Sequence, residues 1–104
     1  MELIENVSIE KNLNIYFEGK VTSRNVFLKN GAKKTLGVMM PGIYEFETKK
    51  KEIMEIISGK LKVLLPGHSE WKEINEKTEF EVPSNSKFKA EIFSLTNYCC
   101  SYID

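Results

Sequence analysis

Apolar and polar residues alternate along most of the chain with a period of two, the pattern of strands that bury one face. In residues 42–48, Tyr44, Phe46 and Thr48 share one face while Glu45 and Glu47 share the other. Residues 52–65 carry Met54, Ile56 and Ile57, then Ser58 and Gly59, then Leu61, Val63 and Leu65, which predicts two strands joined by a tight turn at the glycine. Parity sets Glu52 on the face of Met54 and Ile56. Phe80 and Val82 alternate before Pro83-Ser84-Asn85-Ser86, and Phe88, Ala90 and Ile92 alternate after it, giving another pair of strands around a loop. With residues 15–22, 25–28, 36–40, 71–74 and 98–103 the count reaches roughly nine or ten short strands, the spacing of a sandwich or small barrel.

The weak alternation of Val7 and Ile9 makes residues 1–14 an N-terminal arm or an extra edge strand, with a loose tail as the alternative. Residues 15–104 form one domain, since 104 residues support a single core and leave no room for a second. Fifteen Lys and Arg balance fifteen Asp and Glu, so no long-range field draws the protein toward nucleic acid or an acidic membrane. An anionic substrate must be met by a few local cations. The two cysteines, Cys99 and Cys100, are neighbours, a spacing poor for a mutual disulfide and in keeping with a reducing compartment. The N-terminus lacks a basic start and a long apolar run, and no stretch is long enough to cross a bilayer. A cytoplasmic protein is expected.

Part of the spacing of two short motifs resembles the cupins. Glu52, six residues and Gly59 match the end of the first motif, with Gly42 near its opening, but Thr48 and Lys50 stand where its histidines belong. The second motif runs through Pro83 to Phe88, with Phe88 at the ligand position. One surviving carboxylate cannot hold a transition metal, so no metal is expected. The single histidine, His68, lies in Pro66-Gly67-His68-Ser69, a turn by composition. The implied fold is an all-β, single-domain, cupin-like barrel of jelly-roll type.

Longer segments, in order, sharpen the resemblance: residues 16–21 (YFEGKV), 36–46 (LGVMMPGIYEF), 52–61 (EIMEIISGKL) followed by 63–66 (VLLP), 80–83 (FEVP) and 98–102 (YCCSY). Together the chain resembles the pyrimidine/purine nucleoside phosphorylase family from about residue 14 to its end. It departs from the family in its N-terminal arm and in Lys77, where a glycine often opens the second motif. The resemblance implies phosphorolysis of purine and pyrimidine nucleosides to free base and ribose 1-phosphate, inorganic phosphate as co-substrate, no metal or organic cofactor, and a homodimer. Without it, the residues support only a small barrel with a pocket. A non-catalytic sugar- or nucleotide-binding module and a sugar isomerase are the rival readings, the isomerase lacking a histidine base.

Such a reaction needs donors for phosphate, partners for ribose hydroxyls and accommodation of charge on the leaving base. Glu52 is the catalytic candidate. As an inward carboxylate it either serves the site, by holding ribose hydroxyls or steering the base, or pairs with a buried lysine or tyrosine. For phosphate, Gly31-Ala32-Lys33-Lys34-Thr35 offers amines and a hydroxyl at a turn, with Lys33 and Thr35 favoured and Ser23-Arg24 a second source; a solvated charged turn is the alternative. Among Tyr16, Tyr44, Trp71, Tyr98 and Tyr102, any one serves either as a stacking surface for the base or as packing, Tyr44 being favoured because it faces inward before Glu52. Asn85 and Ser86 either add hydrogen bonds at the pocket mouth or only form a turn. Cys99 and Cys100 lie in an apolar strand with no histidine to activate them, which favours packing over nucleophilic chemistry.

Overall fold

A computed structural model describes residues 2–104. Its strands are β1 (Ser8–Ile9), β2 (Asn14–Tyr16), β3 (Val21–Phe27), β4 (Lys33–Met39), β5 (Gly42–Glu47), β6 (Lys51–Leu64), β7 (Lys72–Ile74), β8 (Thr78–Val82) and β9 (Lys87–Ile103), with one 3-10 turn at Phe17–Gly19. All pair antiparallel in one sheet of order β1-β3-β4-β9-β6-β7, to which β2 joins through β3, β5 through β9 and β8 through β6. No helix among the described residues is long and apolar enough to cross a membrane.

Two long strands make the barrel. β6 and β9 pair from Lys51 opposite Ile103 to Leu64 opposite Lys89. The first half of β6 lies between β8 and the second half of β9, and its second half lies between β7 and the first half of β9. Each strand thus passes from one layer to the other, and the inward residues of both layers meet in a core that includes Ile56, Val63 and Val82, all fully buried. Burial of each such side chain contributes about 1.5–3 kcal/mol before entropy is counted.

The hairpin expected within residues 52–65 is not formed. The β6–β9 register slips between Ile56 and Leu61, so the chain bends through bulges and continues in one 14-residue strand. Gly59 sits there at φ 116°, where a Cβ would overlap Oγ1 and Cα of Thr96. A glycine interrupting an alternating run marks a bulge or a turn, and the neighbouring strand decides which. The separate strands at residues 88–92 and 98–103 are likewise one strand of 17 residues. The 15–22 strand is instead interrupted. Phe17, Glu18 and Gly19 adopt φ of 50°, 58° and 91°, a left-handed turn that costs roughly 1–2 kcal/mol for each non-glycine residue.

At the N-terminus, Ser8 and Ile9 pair with Phe27 and Val26 at the edge of β3. Leu3, Ile4 and Val7 lie along a groove with Leu36, Ile57 and Cys99 on the outer face of the sheet. His68 is exposed in a turn closed by its N–H donating to the Leu65 carbonyl at 3.1 Å.

Candidate functional site

Residues from six strands line a cavity of about 140 Å³. Its polar wall consists of Ser23 (β3), Thr35 (β4), Glu52 (β6) and Tyr98, Cys100 and Tyr102 (β9), while Val21, Met39, Met54, Phe46 and Phe88 supply its apolar part. Strand pairing brings the polar groups together. Thr35, Cys100 and Met54 lie in one cross-strand row, and Glu52 stands opposite Tyr102 in the next. Tyr16 and Glu47 complete the lining.

Hydrogen bonds orient this wall. Asn14 donates through Nδ2 to Ser23 Oγ at 3.2 Å and to Asn25 Oδ1 at 2.9 Å, and Asn25 donates to Glu10 Oε1 at 3.0 Å. This relay ties the edge strand to the cavity. The Thr35 and Tyr102 hydroxyls lie 3.3 Å apart. Tyr98 reaches across Gly37 to donate to the Thr22 carbonyl at 3.4 Å. A Cβ at Gly37 would overlap that same carbonyl oxygen and crowd Ser23.

Burial sets the charge state of the wall. It pushes the Tyr98, Tyr102 and Cys100 groups upward, so all three remain protonated at neutral pH. Glu52 is partly buried, and loss of hydration raises its carboxyl above the ordinary carboxylate value while a hydrogen bond with Cys100 opposes the rise. Among the described residues no lysine or arginine lines the cavity. The wall therefore offers neutral O–H groups around the Glu52 carboxyl, with a second carboxyl, Glu47, at the end of β5, a set suited to a polyhydroxylated ligand.

The proposed site residues separate into groups. Glu52 and Thr35 both line the cavity, and none of the ion pairs among the described residues includes Glu52. Of the expected alternative, a pairing with a buried lysine or tyrosine, the lysine is thereby corrected, while Tyr102 stands opposite Glu52 on β9. Lys33 and Thr35 belong to β4 rather than to a turn, because the reversal is made by residues 28–32, where Leu28 donates to the Ala32 carbonyl at 2.8 Å. Lys33 shares the parity of Thr35, and its Nζ lies 5.0 Å from the centre of the Tyr102 ring at the edge of the cavity. Arg24 points to the opposite face from Ser23, toward an outer groove with Leu36 and Val38.

Tyr44 does not line the cavity. Its hydroxyl donates to the Met40 carbonyl at 2.6 Å and its ring packs 4.9 Å from that of Phe17. Asn85 and Ser86 are also apart from it. Ser86 donates through N–H to Thr48 Oγ1 at 3.1 Å and through Oγ to the Ser84 carbonyl at 2.9 Å, while Asn85 takes φ 51°. They shape the loop before β9. Trp71 lies elsewhere, beneath Lys62 at 5.1 Å. Cys100 faces the cavity and Cys99 the outer groove, and both thiols are free, with burial raising each.

The cupin fold commonly implies a metal centre, and these donors do not fit one. Around Glu52 there is no imidazole, and its sulfur neighbour is a thiol held protonated by burial. No group of three or more potential metal-ligating side chains occurs among the described residues.

Residues 11–102 match the family described as pyrimidine/purine nucleoside phosphorylase. A protein of that name from Leptospira borgpetersenii serovar Hardjo-bovis (strain L550) is 53% identical over 103 residues, covering 99% of each chain. The chain belongs to the pyrimidine/purine nucleoside phosphorylase family. A solved structure from Acinetobacter sp. ADP1, described as a protein of unknown function, is similar with a TM-score of 0.95 and 37% identity over 97% of this chain and 98% of that one. A cupin superfamily protein from Desulfitobacterium hafniense DCB-2 shares the fold at a TM-score of 0.64 and 13% identity, covering 81% of this chain and 78% of its own. This family member is thus a cupin-like β fold.

Two lining or supporting residues escaped the sequence reading. Alternation with inward Phe46 places Glu47 on the outer face, but at the end of β5 it borders the mouth, with Lys87 at 3.6 Å. Asn14 carried no signal, because its role depends on the pairing of β2 with β3.

Proposed function

We propose that the chain catalyses phosphorolysis of purine and pyrimidine nucleosides, with inorganic phosphate as nucleophile and without a metal or organic cofactor. The observation that carries this reading is the family match across nearly the whole chain, at 53% identity to a relative bearing that name. A phosphate oxygen bonds to C1′ as the C1′–N bond breaks. The bonding electrons leave with the base, which takes up the proton brought by hydrogen phosphate.

The chain's residues divide this work. Glu52 accepts hydrogen bonds from ribose hydroxyls and, as a carboxylate, favours positive charge developing at C1′. Ser23, Thr35 and Tyr102 supply hydroxyls without adding charge. Lys33 is the cation for phosphate. From its perch on Tyr102, its flexible stem can turn the ammonium toward an oxyanion at the mouth beside Thr35. A homodimer is part of the proposal, supported by the apolar groove that Leu3, Ile4 and Leu36 line on the outer face.

The test is base release from uridine and adenosine followed with and without phosphate. Release that requires phosphate, yields ribose 1-phosphate and persists with a chelator supports the proposal. Equal release in phosphate-free buffer would make the protein a hydrolase, and no release from a broad nucleoside panel would make it a binding module. The cation-free lining is the observation that favours that second reading.

A further inference from the structure

The cavity is small for a site that would enclose a whole nucleoside. Its volume is about 140 Å³, whereas sites enclosing drug-sized ligands run roughly 300–1,000 Å³. With ribose beside Glu52, the base must project through the mouth and meet whatever surface stands there.

Five aromatic side chains line the cavity, and four are already engaged. Phe88 is buried and stacked 5.2 Å from Phe46, which also meets the edge-on ring of Phe17 at 5.5 Å and the ring of Tyr44 at 6.1 Å. Tyr98 is buried with its hydroxyl directed at the Thr22 carbonyl. Tyr102 carries the Lys33 ammonium over its ring and has its hydroxyl beside Thr35. Tyr16 differs. It is 49% exposed and makes no side-chain hydrogen bond among the described residues, although it lines the cavity.

The backbone explains how Tyr16 comes to be there. In an extended strand, successive side chains point to opposite faces, yet Tyr16 lines the cavity while the adjacent Phe17 packs on Tyr44 and Phe46. Both contacts arise because β2 ends at Tyr16 and the next three residues turn left-handed. An aromatic residue at positive φ is a rare outlier that persists only where surrounding contacts over-determine it. Here the Phe17 carbonyl accepts from Lys20 N–H at 3.1 Å, and the Lys20 carbonyl accepts from Met40 N–H at 2.8 Å.

We propose that Tyr16 is the platform on which the nucleobase stacks at the cavity mouth, held in place by the left-handed turn Phe17–Gly19. The inference rests on the phosphorylase reading for the position of the sugar. An aromatic face engages any base through its π-surface without reading its edge, and one such contact serves both ring sizes.

The experiment measures adenine and uracil binding by calorimetry, together with KM for adenosine and uridine, in the parent, Tyr16→Ala and Tyr16→Phe proteins. Tyr16→Ala should weaken both free bases and raise both KM values roughly five- to hundredfold, with adenine and adenosine affected more. Tyr16→Phe should keep all four within about twofold, because the ring remains. Tyr16 is half-exposed on a three-residue edge strand, and melting temperature checks that the fold is kept. Affinities and KM values within about twofold of the parent in Tyr16→Ala overturn the inference and leave phosphorolysis intact. If the parent releases no base from either nucleoside, the phosphorylase reading fails and free-base affinity alone decides. A parent that then binds neither base overturns the role of Tyr16 as well.

Discussion

Replacing Glu52 with glutamine separates chemistry from architecture, because the amide keeps the volume and hydrogen-bonding capacity of the carboxyl and removes only its charge. Had Glu52 been one half of a buried ion pair, the change would cost roughly 3–5 kcal/mol. For a domain of this size that lowers the melting temperature by well over 10 °C, at about 4–8 °C per kcal/mol. The described ion pairs instead join Lys50 to Asp104, Lys51 to Glu81, Lys62 to Glu91 and Lys87 to Glu47. Glu52 is partly buried with no ion-pair partner among the described residues, so the amide should melt at the same temperature or higher. Its raised pKa comes first from burial, and the folded protein therefore retains a proton that the unfolded chain has released. Stability should fall as pH rises from the ordinary carboxylate value through the raised one, and Glu52→Gln should lack that contribution. Activity should run the other way. If the carboxylate form serves catalysis, kcat/KM declines as pH falls through the raised value, and the variant loses roughly a hundredfold or more in kcat, or about 2.7 kcal/mol. Base release and thermal melts across about pH 4 to 8 measure both effects around the ordinary carboxylate range. Near-normal turnover in folded Glu52→Gln protein, or a melting temperature lowered by more than 10 °C, would refute this reasoning.

Lys33→Met should raise KM for phosphate roughly tenfold or more while leaving KM for the nucleoside within about twofold, since a charge-assisted hydrogen bond is lost on one substrate only; equal effects on both substrates would place Lys33 elsewhere in the reaction. Tyr44→Phe removes the 2.6 Å hydrogen bond to the Met40 carbonyl and should cost about 1 kcal/mol of stability with kcat/KM unchanged, whereas a large kinetic loss in a stable protein would return Tyr44 to the binding site. Gly59→Ala should destabilise the fold by about 2 kcal/mol or more, because it adds a Cβ against Thr96 at a positive φ; a neutral result in chemical denaturation would contradict the bulge.

Much of the barrel was legible because its core follows parity. Tyr44, Met54, Ile56, Phe80, Val82, Phe88, Ala90 and Ile92 are all buried, on the faces expected from alternation. Continuity was not legible. Gly59 and the polar stretch near Thr96 interrupt the apolar pattern much as turns do, but both stretches stay paired because β6 and β9 bend together. That outcome depends on residues some 37 positions apart, as Gly59 and Thr96 are, and no local window contains it. The left-handed turn was hidden for the opposite reason. Phe17 and Glu18 give no sign of positive φ, and the conformation is held by packing on β5 and a hydrogen bond from Met40.

For the cavity, parity separates what reaches the interior from what does not. Val21 and Ser23 alternate to the inside, leaving Arg24 outside, and Thr35 shares the inward face of Met39. Parity says nothing about which end of a barrel an inward residue occupies. Thr35 near the start of β4, Glu52 near the start of β6 and Tyr102 near the end of β9 meet because those three strands run antiparallel side by side. Tyr44 also points inward, but it lies in the layer where β5 pairs with the first half of β9. There its hydroxyl is taken up by the Met40 carbonyl. The distinction between Tyr44 and Tyr102 is therefore one of strand order and length rather than residue type. Once β9 is known to run unbroken from Lys87 to Ile103, the same alternation that failed to rank the tyrosines puts Tyr98, Cys100 and Tyr102 on the cavity face and Cys99 on the outer one.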